Sequence, residues 1–438
     1  MTKRLSARFN TKESVGAGDI VDGDATVKIL YLNHNVKGRS TYHRCFQFAK
    51  HLVARGHHVD LLTISPTERL HFHETVQQGV HIIETPDLLV GMTRTGWDPY
   101  DTWRRQGFLK RRRYDLIHAF DSRPAVILPA LTQRKRDGAT LLSDWADWWG
   151  RGGVIDERPN KLIKFAFEGI ETYFEEHYRT QADGLTVISD ALHERAITLG
   201  VRPEVIAHIS GGADIEHITP GDRIAARRAL GISEHGPIVG FSGFVHYDLT
   251  LLLAAFDELA RMRRDVRLLL TGARSPLVQR YAQRGGWEDR VIEAGVIDYA
   301  ILPRYHACVD VFALPYANKL ANRGRWPNKI GDYLAAGRPI VSNPVGDIKV
   351  LFTAFDIGYL TDETPSAFAH GLLRAIEDPE AAARKGQIGR SVAENVLSWP
   401  QLSVRMEEHY HLIHGMSHAA PGTGAATLPR APTLSGRR

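Results

Sequence analysis

Cysteine is scarce in this 438-residue chain: Cys45 and Cys308 stand far apart and outside any metal-ligand spacing. That excludes a disulfide framework and fits a reducing, cytoplasmic compartment. Long apolar runs are also missing. No segment reaches the roughly 18–20 continuous apolar residues of a membrane span. Residues 1–25 lack the hydrophobic stretch of a signal peptide. No clear Asp-x-Asp motif offers a metal site, so neither a metal nor another cofactor is expected. The net charge of +5 is modest and spread out. No zinc finger, RNA-binding aromatic motif or helix-turn-helix accompanies it, which argues against nucleic acid as a partner. Basic residues cluster once, at Trp103-Arg104-Arg105 and Lys110 to Arg113, around Phe108 and Leu109. This is either a face for peripheral contact with anionic lipid or a solvated helix end before a strand.

Asn322 to Gly346 carries the densest set of signals. Arg323, Gly324 and Arg325 lead through Trp326-Pro327 and Asn328-Lys329 into a helix with Ile330, Tyr333 and Leu334 at i, i+3, i+4 spacing. Gly337 and Pro339 stop that helix before a short apolar strand. Cations and free N–H groups at such a helix entry suit a phosphate, and Asp332 is placed to accept bonds from ligand hydroxyls. An ordinary crossover with a solvated basic loop would carry the same residues.

The rest of the chain alternates strand and helix patterns in two comparable halves. In the first, Val27–Leu32 is a strand, Gly38 and Arg39 stand at a helix entry, and Val59–Ile64 is the next strand. Other strands are read at 80–83, 116–119 and 140–143. His118 lies near the end of one; Asp144, Asp147, Trp148 and a Gly-rich loop follow another. Histidine at a strand end faces either the crevice or the core. The acids and tryptophans read as a carbohydrate surface or as core anchors. One loop glycine is not the three-glycine dinucleotide fingerprint, which disfavours NAD. The turn-rich Ser210 to Asp214 marks a boundary. Beyond it, Gly243 and His246 follow a strand, and Gly295-Val296 follows another. The expected fold is α/β: two doubly wound Rossmann-like domains, 27–212 and 213–398, facing across a cleft. Residues 399–414 form a last helix, and 1–26 and 415–438 are expected to be disordered tails.

The order of motifs resembles the retaining family 4 (group 1) glycosyltransferases of the GT-B fold over about residues 27–414. Arg55-Gly56-His57-His58-Val59, Asp115 to Ala119, Asp183 to Ser189, Gly211 to Asp214 and Gly331 to Val341 carry the resemblance. It is strongest to members with a PNK before the last of these, here Pro327-Asn328-Lys329. Two departures stand out. Gly324 takes the place of the first of two glutamates, with Asp332 at the second, and the usual Arg/Lys pair after the strand ending at Gly243 is missing.

The resemblance implies transfer of a sugar from a UDP- or GDP-sugar to a glycan, lipid-linked or small-molecule acceptor. The transfer would be metal-independent and would retain anomeric configuration. His118, Lys329 and Arg325 would be catalytic. Gly38, Arg39, Gly243, His246, Val296, Arg323, Asn328 and Asp332 would hold the donor; Asp144, Asp147 and Trp148 would line the acceptor side. The final helix would cross back to the first domain. Two other readings stand beside this one: a GT-B nucleotide-sugar epimerase, and a binding or scaffold protein that has lost catalysis.

Overall fold

The computed structural model describes residues 26–158, 160–243 and 246–418. The first sheet contains β1 (Lys28–Val36), β2 (His58–Ile64), β3 (His73–Gln77), β4 (Val80–Thr85), β5 (Leu116–Phe120), β6 (Thr140–Trp145), β7 (Gly184–Val187) and β8 (Ile206–His208). Their spatial order is β3-β4-β2-β1-β5-β6-β7-β8. The second sheet contains β9 (Ile238–Ser242), β10 (Arg267–Thr271), β11 (Val291–Gly295), β12 (Val311–Leu314), β13 (Ile340–Ser342) and β14 (Gly358–Leu360), in the order β11-β10-β9-β12-β13-β14. Every pairing is parallel except β3 with β4. The expected pair of doubly wound domains is present.

Helices cover both faces of the central strands, so those strands are buried on both sides and read as unbroken apolar runs rather than alternating ones. Residues 116–120 illustrate this, for all five are buried. β1 runs four residues further than its apolar stretch suggests, because Asn33, His34 and Asn35 are buried polar residues within the strand. Thr63 Oγ1 and Asn33 Nδ2 both donate to the Asn35 carbonyl. That bonding offsets most of the desolvation of these polar groups, although Asn33 Oδ1 is buried without a partner. Helix Pro99–Leu109 and helix Pro124–Asp137 both start on a proline, whose fixed φ suits the first helical position.

The helix Trp399–His418 packs its Leu402, Met406, Tyr410 and Ile413 into the first sheet's core beside Tyr31, Phe48 and Leu52. The two crossings between the sheets run side by side: Ala213 N–H donates to Leu397 O at 2.7 Å, and Trp399 N–H donates to Ala213 O at 3.3 Å. One buried cluster continues from Trp145, Leu185 and Val187 of the first sheet to Ile330, Tyr333 and Val345 of the second. Packing of this kind holds the carboxyl ends of both sheets together. The tails expected at 1–26 and 415–438 fall almost entirely outside the described residues.

Candidate active site between the two sheets

In the second domain, β12 delivers Tyr316, whose hydroxyl donates to Asn322 O at 2.9 Å and holds the following loop. That loop carries Arg325, whose guanidinium lies 3.5 Å from the Asp248 carboxylate. Lys329, one turn on, is partly exposed; its ammonium sits 4.0 Å from the centre of the Phe241 ring. Burial lowers the Lys329 pKa to about 8, and Asp248 opposes that shift. Burial raises the pKa of Asp248, while Arg325 and Lys329 pull it back. The cation pair is thus partly neutralised by the Asp248 carboxylate. Gly243 leaves room for this arrangement, since a Cβ there would lie 2.7 Å from Lys329 Nζ.

The helix that follows does not supply what its sequence suggests. It spans only Lys329–Ala335, and its first N–H groups are already used: Ile330 donates to Pro327 O and Gly331 to Asn328 O. Asn328 is exposed and makes no side-chain cap. What positive charge this segment offers therefore comes from its side-chain cations rather than from a helix terminus. Arg323 is exposed at the end of a short helix and does not share the Asp248 cluster. The side chain of His246 lies outside the described residues.

Asp332 is partly exposed, and among the described residues no ion pair or hydrogen bond occupies its carboxylate. Burial and nearby Asp214 push its pKa up to about 7. Unoccupied acceptors beside a like charge favour ligand hydroxyls, which bring donors without adding negative charge. Near the ends of the second sheet's strands, a shallow cleft open to solvent is bounded by Phe241, Gly243, Thr271–Ser275, Glu293 and Gly295. Its floor is apolar, from Leu249, Leu270 and Val278. Gly295 belongs to this wall, whereas the Val296 side chain is 72% exposed.

In the first domain, Gly38 has φ +79° and open space around its α-carbon, and Arg39 is exposed beside it. Both are exposed at the carboxyl end of β1, where the Gly38 carbonyl lies 2.9 Å from His43 Nε2. Asp147 is partly exposed after β6; burial raises its pKa to about 7, against the pull of Arg325 from the second domain. Other carboxylates also join the two domains, among them Glu157, which pairs with Lys319 at 3.1 Å.

Two expected site residues are core residues instead. His118 is fully buried, with Nδ1 2.6 Å from the Tyr410 hydroxyl and Nε2 3.2 Å from Thr186 Oγ1. Burial drives its pKa down to about 3, so the ring is neutral and serves as a hydrogen-bond bridge to the last helix. Strand β5 continues through Phe120, which places His118 too deep to meet a ligand. Asp144 is 1% exposed and accepts two bonds from Arg44, at 3.1 and 2.9 Å, plus one from Thr186 Oγ1 at 2.6 Å. Its acceptor capacity is spent inside the fold.

Trp148 meets the second domain directly. A Cβ on Gly324 would lie 2.6 Å from Trp148 Cβ, so the tryptophan takes the space that a side chain at 324 would need. Arg195 sits 4.0 Å from the Trp148 ring centre and fixes it from the other side. The basic cluster of residues 103–113 is divided by the fold: Arg105 is fully buried against Asp101, while Trp103 is 65% exposed. Sequence inspection missed Asp248, Glu293 and Asp214. Asp248 gives no local signal, because its partners Arg325 and Lys329 lie some eighty residues away.

Comparison with known proteins agrees with this architecture. Residues 43–212 match the glycosyl transferase 4-like domain, and residues 236–378 match the glycosyl transferases group 1. A D-inositol 3-phosphate glycosyltransferase of Saccharomonospora viridis is 28% identical over 246 residues, covering 51% of this chain and 54% of that protein. A GDP-mannose-dependent alpha-(1-6)-phosphatidylinositol monomannoside mannosyltransferase of Mycolicibacterium smegmatis is 26% identical over 237 residues, covering 52% and 62%. The chain thus spans little more than half the length of these relatives. Among solved structures, sucrose-phosphate synthase of Thermosynechococcus elongatus superposes with TM-score 0.71 at 18% identity, covering 89% of this chain and 100% of that one. Anabaena HepE in complex with UDP and glucose gives TM-score 0.65 at 17% identity, covering 87% and 98%. With both domain families matched in order on a two-sheet α/β scaffold, the chain belongs to the group 1, family 4 glycosyltransferases of the GT-B fold.

Proposed function

We propose that this chain transfers a glycosyl group from a nucleotide-sugar donor to a hydroxyl of a carbohydrate, lipid-linked or small-molecule acceptor, with retention and without a metal. The observation that carries this reading is the Arg325–Lys329 cation pair, held ready by Asp248 beside the cavity of the second domain. In this reading the diphosphate displaces Asp248 from the cations. Asp332 accepts the ribose hydroxyls, and the base enters the cavity at Gly272–Ser275 and Gly295. Gly38 and Arg39 meet the phosphates from the first domain.

As the bond from the anomeric carbon to the phosphate oxygen breaks, negative charge grows on the leaving diphosphate. Arg325 and Lys329 stabilise that charge more than they stabilise the bound donor. The acceptor oxygen forms the new bond to the anomeric carbon, and its proton leaves with the departing phosphate. Asp147 faces the acceptor hydroxyl from the first domain and orients it.

The mannosyltransferase relative is named for GDP-mannose and the HepE structure holds UDP, so GDP-sugars and UDP-sugars are both reasonable donors to test. Incubating the protein with a panel of nucleotide sugars and glycan or lipid-linked acceptors should release nucleoside diphosphate only when an acceptor is present. The same release with water as sole acceptor, or a rearranged nucleotide sugar, would favour the epimerase reading. Acceptor binding without any release would favour a protein that binds but does not transfer. A cytoplasmic location and peripheral contact through exposed Trp103 belong to the same proposal. No helix among the described residues is long and apolar enough to cross a membrane.

A further inference from the structure

We infer that the cavity at the ends of β10 and β11 is built for guanine, so that the donor is a GDP-sugar read by Glu293 and Arg274. This rests on the nucleotide-sugar reading above and narrows it to one base. Four apolar side chains, Phe241, Leu249, Leu270 and Val278, make a floor suited to a flat ring, and the polar groups stand along one rim. Glu293 lines that rim from the edge strand, in register with Leu270 on β10. Among the described residues its carboxylate has no hydrogen bond or ion pair, so both oxygens are available. Arg274 stands on the same rim, tethered among the described residues only by a long contact from its Nη2 to Glu293 O at 3.5 Å. Its Nε comes within 3.8 Å of where a Cβ on Gly295 would be, and Gly295 leaves that approach open.

An acceptor-only carboxylate beside a donor-only guanidinium reads a base edge that presents donors next to an acceptor. Guanine presents N1–H and the N2 amino group side by side, which two carboxylate oxygens accept in parallel, with O6 and N7 left for the arginine fork. Uracil offers a single N3–H flanked by two carbonyls, one of which would face Glu293 and be repelled. Adenine places a ring-nitrogen acceptor where guanine has N1–H. The cavity also joins the phosphate end: Phe241 and Gly243 line it, Lys329 Nζ lies 4.0 Å from the Phe241 ring centre, and it occupies the space that a Cβ on Gly243 would need. A base in the slot therefore lies in line with the cation pair.

The test is calorimetric titration of the full chain with GDP, inosine diphosphate, UDP and ADP, repeated on Glu293→Gln. GDP should bind at least about tenfold more tightly than UDP or ADP, because a site made to pair with polar groups rejects a ligand that leaves them unpaired. Inosine diphosphate, which lacks only the N2 amino group, should fall between, a result that needs no mutation. Glu293→Gln should lower GDP affinity by about tenfold and leave UDP nearly unchanged, as expected for loss of a charged acceptor pair. UDP or ADP binding as tightly as GDP, or an equal loss for all ligands in Glu293→Gln, would overturn the base assignment and leave glycosyl transfer standing. Binding of none of the four would overturn both.

Discussion

Gly324 and Trp148 occupy one space from opposite domains: with no side chain at 324, the tryptophan lies against the loop backbone, where a Cβ would sit 2.6 Å from its own. The family resemblance implies a glutamate at this point of the loop. Its loss is therefore matched by a bulky residue on the facing domain rather than by an empty pocket. Gly324→Glu should push the domains apart at this contact and cost on the order of 1–3 kcal/mol, the scale of overpacking. The double variant Gly324→Glu/Trp148→Gly should regain most of that loss, because the close contact is with the Trp148 Cβ itself, which only glycine removes. Thermal melts of both variants check this; equal destabilisation in the double variant would mean that the two residues do not compete.

Lys329→Ala should weaken nucleoside diphosphate binding by more than ~1.5 kcal/mol, the scale of a hydrogen bond to a charged group. The wild-type pKa adds a second signature. At about 8, the free ammonium is partly deprotonated near pH 8, and a bound dianion would raise its pKa and draw in a proton. Affinity should fall as pH rises from 7 to 9. Titrations at pH 8 in buffers of different ionisation enthalpy should show net proton uptake; no buffer dependence would remove Lys329 from the phosphate contact.

Asp332 links the site to stability. Its folded pKa of about 7 lies above the ordinary carboxylate value, so the folded chain holds a proton that the unfolded chain releases. Its contribution to stability is present below about pH 4 and lost as pH rises through 7. Asp332→Asn should therefore melt higher than wild type at pH 8 and equally at pH 4, while donor affinity and transfer fall. A variant with unchanged transfer would exclude Asp332 from the ribose contact.

Asp144 and His118 should behave as core groups. Asp144→Ala strands the buried Arg44 guanidinium and should cost about 3–5 kcal/mol of unfolding free energy. His118→Asn should lower the melting temperature by detaching Tyr410 of the final helix, with the transfer rate within about twofold of wild type, because the residue does not reach the cleft. Denaturant unfolding and initial rates, measured on both variants, separate a folding role from a chemical one. A large rate loss in a stably folded His118→Asn would restore it to the site.

Much of the architecture was legible in the amino-acid order, because buried parallel strands leave continuous apolar runs such as residues 116–120 and glycines mark the turns that end helices. Elements that lack those marks were not: β3 is a mostly exposed antiparallel edge strand, and its sequence HETVQ carries one apolar residue. The helix Pro124–Asp137 has a proline at position 129 that argues against a helix locally, yet it packs against β5.

The site divides in the same way. Lys329, Arg325 and Asp332 were visible because they share one short segment, where chemistry and spacing can be read together. The direction in which His118 points was not, since a strand end is set by hydrogen bonding across the sheet, and β5 runs two residues beyond it. Asp248 with Arg325, Glu293 with Arg274 and Trp148 with Gly324 come from distant parts of the chain. Composition and periodicity act locally and so determine which elements form. Which carboxylate neutralises a cation, and which side chain fills a vacancy, depends on distances across the cleft that only the packed domains establish.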